Sequence, residues 1–227
     1  QAEGARAVGT LFEPDFEAVY ALQPDLVITG SRSAKQTEPL GELAPTIDMT
    51  IYGAYLLEQA EARLTAYGTL FGREAEAADL VAGLDAQLTA AREAIAGKGD
   101  ALILMTNGTS VSAYGDDSRF GWLHSATGLP EAFPAVTAEN HGESVSFEFI
   151  AEVNPDWLLV IDRGAAIGQA GEAAAAVLDN PLVMGTTAGQ QGQIVYLDSA
   201  ALYLAAGGVQ STGLILDQLT EAFDAAE

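Results

Sequence analysis

The sequence predicts an α/β protein built from two similar lobes that are joined by a long helix. The segment 16–28 has a second copy at 147–159, which starts 131 residues later. A helical stretch at 55–96 lies between the copies, and strand-like and helix-like segments alternate along the rest of the chain. Such alternation is typical of parallel sheets covered by helices, so each lobe is expected to be Rossmann-like.

Each copy of the repeat reads as a short amphipathic helix, a Pro-Asp turn and a buried strand. At the same offset Arg32 falls on Arg163, and each arginine follows the carboxyl end of its strand. Open α/β sheets bind ligands at that edge. Two similar lobes that each place an arginine there predict a binding cleft between them.

The helical stretch contains two apolar stripes at helical spacing, which indicates two helices. Gly72 separates the stripes and Gly97 ends the second one, and glycine is the residue best suited to end a helix. The second helix would be about 36 Å long at 1.5 Å per residue. We therefore expect an amino-terminal lobe, a connecting helix and a carboxy-terminal lobe, over residues 1–72, 73–97 and 98–227.

The remaining elements are predicted from short apolar runs bounded by turn residues. Strands are expected at 26–29, 46–49, 101–106, 110–114 and 194–197. Further helices are expected at 119–127, 172–178 and 213–226. The first lobe has fewer strands than the second, so we expect it to be incomplete, with further sequence preceding Gln1.

Charge and composition exclude several classes of function. The chain carries 32 acidic residues and nine lysines and arginines, whereas nucleic-acid binding needs a basic surface. It has no cysteine, which excludes disulfides and thiolate metal sites. Arg32, Arg119 and Arg163 lie beside apolar segments, where an unpaired charge is costly. The cations of the helical stretch, Arg63 and Arg92 among them, are expected on its solvent-facing surface.

Two polar segments, one with His141 and Ser144 and one with Tyr203, are candidates for chemistry. His141 and Ser144 share a loop before the second repeat helix, and they could be a surface histidine with its neighbour or a nucleophile pair, although no G-x-S-x-G motif is present. Tyr203 lies beside paired glycines beyond the last strand, in the core or in a cleft. A phenolate oxygen and an imidazole nitrogen together suit a hard ferric ion. No zinc-protease, P-loop or dinucleotide motif occurs.

Glu17 and Glu148 occupy equivalent positions at the starts of the two repeat helices. An acid there is favourable beside the positive end of a helix, which suffices to explain either one. Because both copies keep the same acid, a matched pair of docking contacts is the second interpretation.

The chain resembles the periplasmic ferric-siderophore binding proteins of ABC importers, the helix-linked class III family. Its nearest likeness is to the branch that takes up catecholate siderophores such as petrobactin. The resemblance covers nearly the whole chain. It is carried by the segments 8–15, 22–26, 118–121, 141–146, 161–164 and 196–199.

The resemblance implies roles for individual residues. Three cleft arginines that meet an anionic ferric complex match Arg32, Arg119 and Arg163. A histidine and a tyrosine that complete the coordination of Fe³⁺, when the siderophore is only tetradentate, match His141 and Tyr203. The acids that engage the membrane permease match Glu17 and Glu148. Relatives often carry an aromatic residue where this chain has Leu202.

The resemblance also implies a binding protein without catalysis or cofactor, whose ligand is a ferric siderophore and whose partner is an ABC permease. We expect a monomer in the periplasm or on the outer face of the cytoplasmic membrane, secreted by a signal segment that this chain lacks. A cobalamin or haem carrier of the same fold is the alternative, although three arginines suit a multiply charged anion better. A small α/β hydrolase using Ser144 and His141 is the alternative from another class.

Overall fold

The computed structural model describes residues 4–10, 12–134, 136, 142–169 and 171–226. The chain divides into two compact units, 1–52 and 53–227. The division falls before the helical stretch rather than at residue 72, because the helices of that stretch pack within the second unit. Their predicted role as a connector stays a prediction. A search of the described residues finds no helix with both the length and the apolar composition that a membrane span needs.

The first unit contains a two-stranded parallel sheet. Strands β1 and β2 pair with Val27 opposite Thr46, and both lie where strands were predicted. A 3-10 helix follows β1 directly and carries Arg32. The elements of this unit are α1 (Phe16–Leu22), β1 (Val27–Thr29), the 3-10 helix (Ser31–Gln36), α2 (Thr37–Gly41) and β2 (Thr46–Asp48).

The second unit contains a five-stranded mixed sheet with the order β5-β4-β3-β6-β7. Strands β3, β6 and β7 are parallel, whereas β4 and β5 run antiparallel at one edge. The prediction of a parallel sheet therefore holds for β3, β6 and β7 and is wrong for the pairings of β4. Strand β5 falls in a segment predicted as a loop. The strands are β3 (Ala101–Asn107), β4 (Ser110–Tyr114), β5 (Glu143–Val145), β6 (Trp157–Asp162) and β7 (Ile194–Tyr196).

Helices surround this sheet, and several of them are only one or two turns long. Four of the short ones, α7 and α9 to α11, were not predicted as helices. The helices of the second unit are α3 (Leu56–Phe71), α4 (Glu74–Ile95), α5 (Trp122–Ser125), α6 (Phe147–Val153), α7 (Arg163–Ala166), α8 (Ala174–Leu178), α9 (Pro181–Met184), α10 (Thr187–Gln191), α11 (Ser199–Tyr203) and α12 (Val209–Ala225).

The sequence repeat is also a structural repeat. Helices α1 and α6 have seven residues each, and each begins at an N-cap, Asp15 or Ser146, whose side chain accepts a hydrogen bond from a backbone N–H of the first turn. Each ends at a left-handed residue, Gln23 with φ 48° and Asn154 with φ 50°. A Pro-Asp turn and a strand follow in both copies, as predicted.

The helical stretch forms two helices, as predicted. Gly72 ends α3 in the left-handed region with φ 64°. The two helices approach closely because Gly68 has no side chain: a Cβ there would lie 2.6 Å from that of Ala77. Helix α4 packs against α12 as well as α3.

The core of the second unit is built on the central strands β3 and β6, whose side chains are almost all buried. On one face Leu104 and Leu158 belong to a cluster with Ile150 of α6. Elsewhere the ring of Trp157 stacks on that of Phe223 from α12, with centroids 3.9 Å apart. Burial of these apolar surfaces is the main driving force that holds the sheet to its helices.

Candidate functional site

Polar side chains meet at the carboxyl edge of the parallel strands in the second unit. Arg163 comes directly after β6, Asn107 is the last residue of β3, and Tyr203 ends α11, the helix that follows β7. Parallel strands bring their carboxyl ends to one edge, which explains why residues so distant in sequence come together.

Two hydrogen bonds fix the guanidinium group of Arg163. Its Nε donates to the hydroxyl of Tyr203 at 3.2 Å, and its Nη1 donates to Oδ1 of Asn107 at 3.0 Å. The preceding residue, Asp162, is itself fixed, because its two carboxylate oxygens accept from the backbone N–H groups of Ala165 and Ala174 at 2.9 Å each. Arg163 therefore follows directly after a residue whose side chain is fixed at the start of α7.

Arg119 contacts the same tyrosine from the loop between β4 and α5. Its Nη2 donates to the backbone oxygen of Tyr203, and its guanidinium carbon lies 4.2 Å from the centroid of the Tyr203 ring. That distance is within the range of a cation–π interaction. The loop turns tightly at Gly121, where a Cβ would lie only 1.6 Å from the backbone oxygen of Asp116. Glycine is therefore required in this turn.

The two arginines are held by neutral groups. Within the described part of the chain, neither guanidinium lies within ion-pair distance of a carboxylate. This is informative in a protein with 32 acidic residues. Two partly buried cations without a counter-ion leave a local positive potential at the edge of the sheet, which favours an anionic ligand.

The environment of Tyr203 shifts its acidity. Burial by itself raises the pKa of the phenol, but the hydrogen bond and charge of Arg163, together with the charge of Arg119, outweigh it and lower the pKa below the ordinary 10.0. The hydroxyl accepts from Arg163, so its negative form is favoured there. A phenol that ionises easily is a good oxygen ligand for a hard cation.

A cavity of about 330 Å³ lies beside Arg163. It opens at the carboxyl edge of β3 and β6, and its lining is formed by strand-end and loop residues, among them Asn107, Asp162, Gln169 and Glu172. This space adjoins the candidate site.

The structure places the other predicted residues as follows. Arg32 is exposed in the first unit, with its guanidinium carbon 5.6 Å from the ring centroid of Phe12, so its membership of the site stays a prediction. His141 lies outside the described residues. Glu17 and Glu148 are both exposed in the first turns of α1 and α6, and their docking role stays a prediction.

Ser144 occupies an ordinary strand position. It pairs with Ser112 across the antiparallel β4–β5 ladder. A serine nucleophile of an α/β hydrolase instead stands on a sharp turn between a strand and a helix. The placement of Ser144 therefore does not favour the hydrolase interpretation.

Two contacts were missed by sequence reasoning. Arg63 was expected to face solvent, but it is half-buried and its Nη2 donates to the backbone oxygen of Gly207 at 2.7 Å, just beyond Tyr203. Arg92 is exposed, as expected, but its Nε donates to the backbone oxygen of Ala126 at 2.7 Å, a contact that was not predicted. Asn107 was not singled out, although a polar residue at a strand end was the signal that identified Arg163.

Comparison with known proteins identifies the family. The model of the periplasmic binding protein family matches residues 6–201. The petrobactin-binding protein YclQ of Bacillus subtilis is 34% identical over 220 residues, which are 96% of this chain and 68% of that protein. The ferric-anguibactin-binding protein FatB of Vibrio anguillarum is 31% identical over 221 residues, which are 95% of this chain and 69% of that protein.

Solved structures agree with the sequence relatives. The crystal structure of YclQ superposes with a TM-score of 0.89 at 33% identity, over 96% of this chain and 76% of that one. The catecholate-siderophore binding protein VctP of Vibrio cholerae gives a TM-score of 0.88 at 33% identity, over 94% of this chain and 77% of that one. The predicted α/β class and the predicted resemblance are both confirmed. By sequence and by fold, this chain belongs to the periplasmic binding protein family.

Proposed function

We propose that this protein binds an anionic ferric siderophore, of the catecholate class, and delivers it to an ABC permease for iron uptake. The observation that carries the proposal is the pair of arginines around Tyr203, partly buried at a sheet edge and held only by neutral groups among the described residues. A ferric tris-catecholate carries three negative charges, so it offers the counter-charge that these side chains lack.

The arrangement has donors left for such a ligand. Toward the residues that the structure describes, Arg163 donates from Nε and Nη1, and Arg119 donates from Nη2. The guanidinium fork of each arginine therefore keeps further N–H groups for catecholate oxygens, and charge-assisted bonds of this kind are among the strongest in proteins. Arg32 of the first unit is proposed as a third contact.

Relatives support this ligand class. YclQ is named for petrobactin, FatB for ferric anguibactin, and VctP for catecholate siderophores. The names of these relatives thus share siderophores as a class of ligand, while the individual ligands differ. A cobalamin or haem carrier is less favoured, because the paired arginines suit a compact, multiply charged anion.

The same proposal includes the role of the protein in transport. As a binding protein of an importer it would act outside the cytoplasm, as a monomer, without catalysing a reaction and without a resident cofactor. Fe³⁺ is its cargo. Glu17 and Glu148, exposed at equivalent positions of α1 and α6, are proposed to contact arginines of the permease.

Ligand titration followed by tryptophan fluorescence tests the proposal. Trp122 and Trp157 are both buried, and Trp122 lies three residues beyond Arg119, so its emission should report on the site. The panel comprises a ferric tris-catecholate, a ferric bis-catecholate, a neutral ferric tris-hydroxamate, cobalamin and haem. We expect the two catecholates to bind at least about a hundredfold more tightly than the rest, equivalent to about 2.7 kcal/mol. Equal or tighter binding of the neutral complexes would overturn the proposal.

A further inference from the structure

The amide of Asn107 is the second hydrogen-bond partner of Arg163. In the parallel register of β3 and β6, Thr106 lies opposite Asp162, so the next residues along the two strands are Asn107 and Arg163. The Nη1 of Arg163 donates to Oδ1 of Asn107 at 3.0 Å. Because a guanidinium can only donate, the oxygen of the amide must face it.

The backbone of Asn107 is held in a β-hairpin. The residue pairs with Ser110 at the end of the β3–β4 ladder, and the two-residue connection contains Gly108 with φ 59°. Asn107 therefore presents its amide from a closed hairpin rather than from an irregular loop, although the side chain itself is exposed to solvent.

In the described part of the chain, both hydrogen-bond partners of the Arg163 guanidinium are uncharged acceptors. Tyr203 accepts from Nε and Asn107 accepts from Nη1, and among the described residues Nη2 has no partner and is left for a ligand. An aspartate has the same shape as asparagine and would hold the guanidinium equally well. It would also neutralise the charge, since a carboxylate at hydrogen-bond distance forms an ion pair.

We propose that Asn107 is a positioning residue that orients Arg163 while leaving its positive charge available, and that it thereby sets the preference of the site for multiply anionic ligands. The inference rests on the proposed function for the identity of the ligand. Asn107 is proposed to act through its contact with Arg163 and not by contact with the siderophore.

Two substitutions separate the orienting role from the charge role. Asn107→Ala removes the acceptor but adds no charge, whereas Asn107→Asp keeps the acceptor and adds one negative charge. The control is Gln191→Glu, the same charge change at an exposed position just before β7, at the opposite edge of the sheet. Thermal unfolding of all three proteins is compared first, to show that they are folded.

The binding probes are a ferric tris-catecholate of charge −3 and a neutral ferric tris-hydroxamate. We expect Asn107→Ala to weaken the tris-catecholate about three- to tenfold and Asn107→Asp on the order of ten- to a hundredfold. The larger loss should shrink at high salt, where exposed charges are screened. The control should bind like the wild type, and any binding of the neutral complex should not change. Wild-type affinity in Asn107→Asp, or equal losses in both variants, would overturn the charge role.

A measurement without ligand keeps this inference separate from the proposed function. The Nε–H of Arg163 can be followed by nitrogen NMR and assigned with Arg163→Lys. We expect its exchange with water to accelerate several-fold in Asn107→Ala and to stay slow in Asn107→Asp, because only the former releases the guanidinium. If the wild type binds neither iron complex, the proposed function fails while this exchange still tests the orienting role. Unchanged exchange in Asn107→Ala overturns that role.

Discussion

The guanidinium carbon of Arg119 lies 4.2 Å from the centroid of the Tyr203 ring, and the same side chain donates to the backbone oxygen of that tyrosine. Arg163 binds the hydroxyl at the other end of the ring. One tyrosine therefore orders two cations that come from different segments of the chain. Substitution of Tyr203 should therefore alter the position of both arginines, and loss of either arginine should change the pKa of the tyrosine.

We expect Tyr203 to ionise at a lower pH than an ordinary tyrosine. Burial opposes this, but the hydrogen bond from Arg163 and the charges of both arginines lower the pKa below 10.0. The ultraviolet difference between the wild type and Tyr203→Phe, followed as the pH rises through 10.0, isolates this one group from the other tyrosines. A Tyr203 that ionises at or above 10.0 would contradict the contact with Arg163.

The same shift has a consequence for stability with a definite sign. The folded-state pKa of Tyr203 lies below the unfolded value, so the unfolded chain holds the proton to higher pH. The stabilisation from this group is fully present above 10.0 and is lost as the pH falls through the lowered pKa. As the pH rises from the lowered pKa to 10.0, the free energy of unfolding of the wild type should therefore increase relative to that of Tyr203→Phe.

Removal of one arginine should weaken ligand binding strongly. Each charge-assisted contact with a desolvated catecholate oxygen is worth about 1.5–3 kcal/mol, or about ten- to a hundredfold in affinity. We expect losses of this order for a ferric tris-catecholate in Arg119→Ala and in Arg163→Ala, measured by fluorescence titration. Arg73→Ala is the matched control, because Arg73 is 71% exposed and pairs with Glu76 on a helix surface. Wild-type affinity in both site variants would remove these arginines from the site.

The parts of the fold that could be predicted are those that depend on local pattern. The repeat was visible because each copy encodes its own helix, turn and strand, and the structure reproduces even the left-handed residues Gln23 and Asn154 that precede each Pro-Asp turn. Gly72 was predictable as a helix end for the same reason: the requirement for a positive φ is local.

The parts that could not be predicted depend on contacts between distant segments. Arg63 meets the backbone of Gly207 across 144 residues, and nothing in the helical pattern distinguishes it from a solvent-facing arginine. The bond between Asn107 and Arg163 follows from the register of β3 and β6, which the continuous apolar pattern of two mostly buried strands leaves open. The short strand β5 likewise depends on a distant segment, because its backbone pairs with the edge strand β4.

His124 should make the protein sensitive to mild acid. The residue is 4% exposed, and burial lowers its pKa below 6.5, although the carbonyl of Leu129, which lies 2.9 Å from Nδ1, acts in the opposite direction. The unfolded chain therefore binds a proton more readily, and stability should fall as the pH decreases from 6.5 through the lowered pKa. A pKa lower by one would correspond to about 1.4 kcal/mol in the free energy of unfolding.

Comparison with His124→Asn isolates this effect. The amide nitrogen of asparagine can replace Nδ1 as donor to Leu129 but does not titrate. Urea unfolding of both proteins at a series of pH values should show a steeper acid loss in the wild type than in the variant. Parallel curves would mean that the buried histidine does not contribute to the pH dependence.

The paired acids should matter for transport and not for binding. Glu17 and Glu148 are exposed in the first turns of their helices, and within the described residues Glu148 forms no hydrogen bond or ion pair with Arg119, Arg163 or Tyr203. We expect Glu17→Ala combined with Glu148→Ala to keep the wild-type affinity for the ferric complex and to lower iron uptake in cells that lack other carriers. Glu38→Ala with Glu152→Ala changes the charge equally and serves as the control. Normal uptake by the first double variant would refute the docking role.

The last prediction concerns direct contact with iron. A ferric ion takes six donors, and a bis-catecholate supplies four, which leaves two positions for water or protein. Histidine nitrogen and tyrosine oxygen can fill them, and the lowered pKa of Tyr203 favours the phenolate that the ion requires. A hexadentate siderophore leaves no position free, so the same side chains could then contribute only packing and hydrogen bonds.

Tyr203→Phe and His141→Ala should therefore weaken a tetradentate complex far more than a hexadentate one. We expect the tetradentate complex to lose at least about tenfold in affinity, or about 1.4 kcal/mol, in each variant. Its visible charge-transfer band should also shift, because a phenolate or imidazole has left the coordination sphere. The hexadentate complex should keep its band, and because Tyr203→Phe also releases the Nε of Arg163, a modest loss of its affinity is expected there. Equal losses for both complexes, with neither spectrum changed, would show that these residues do not coordinate the iron.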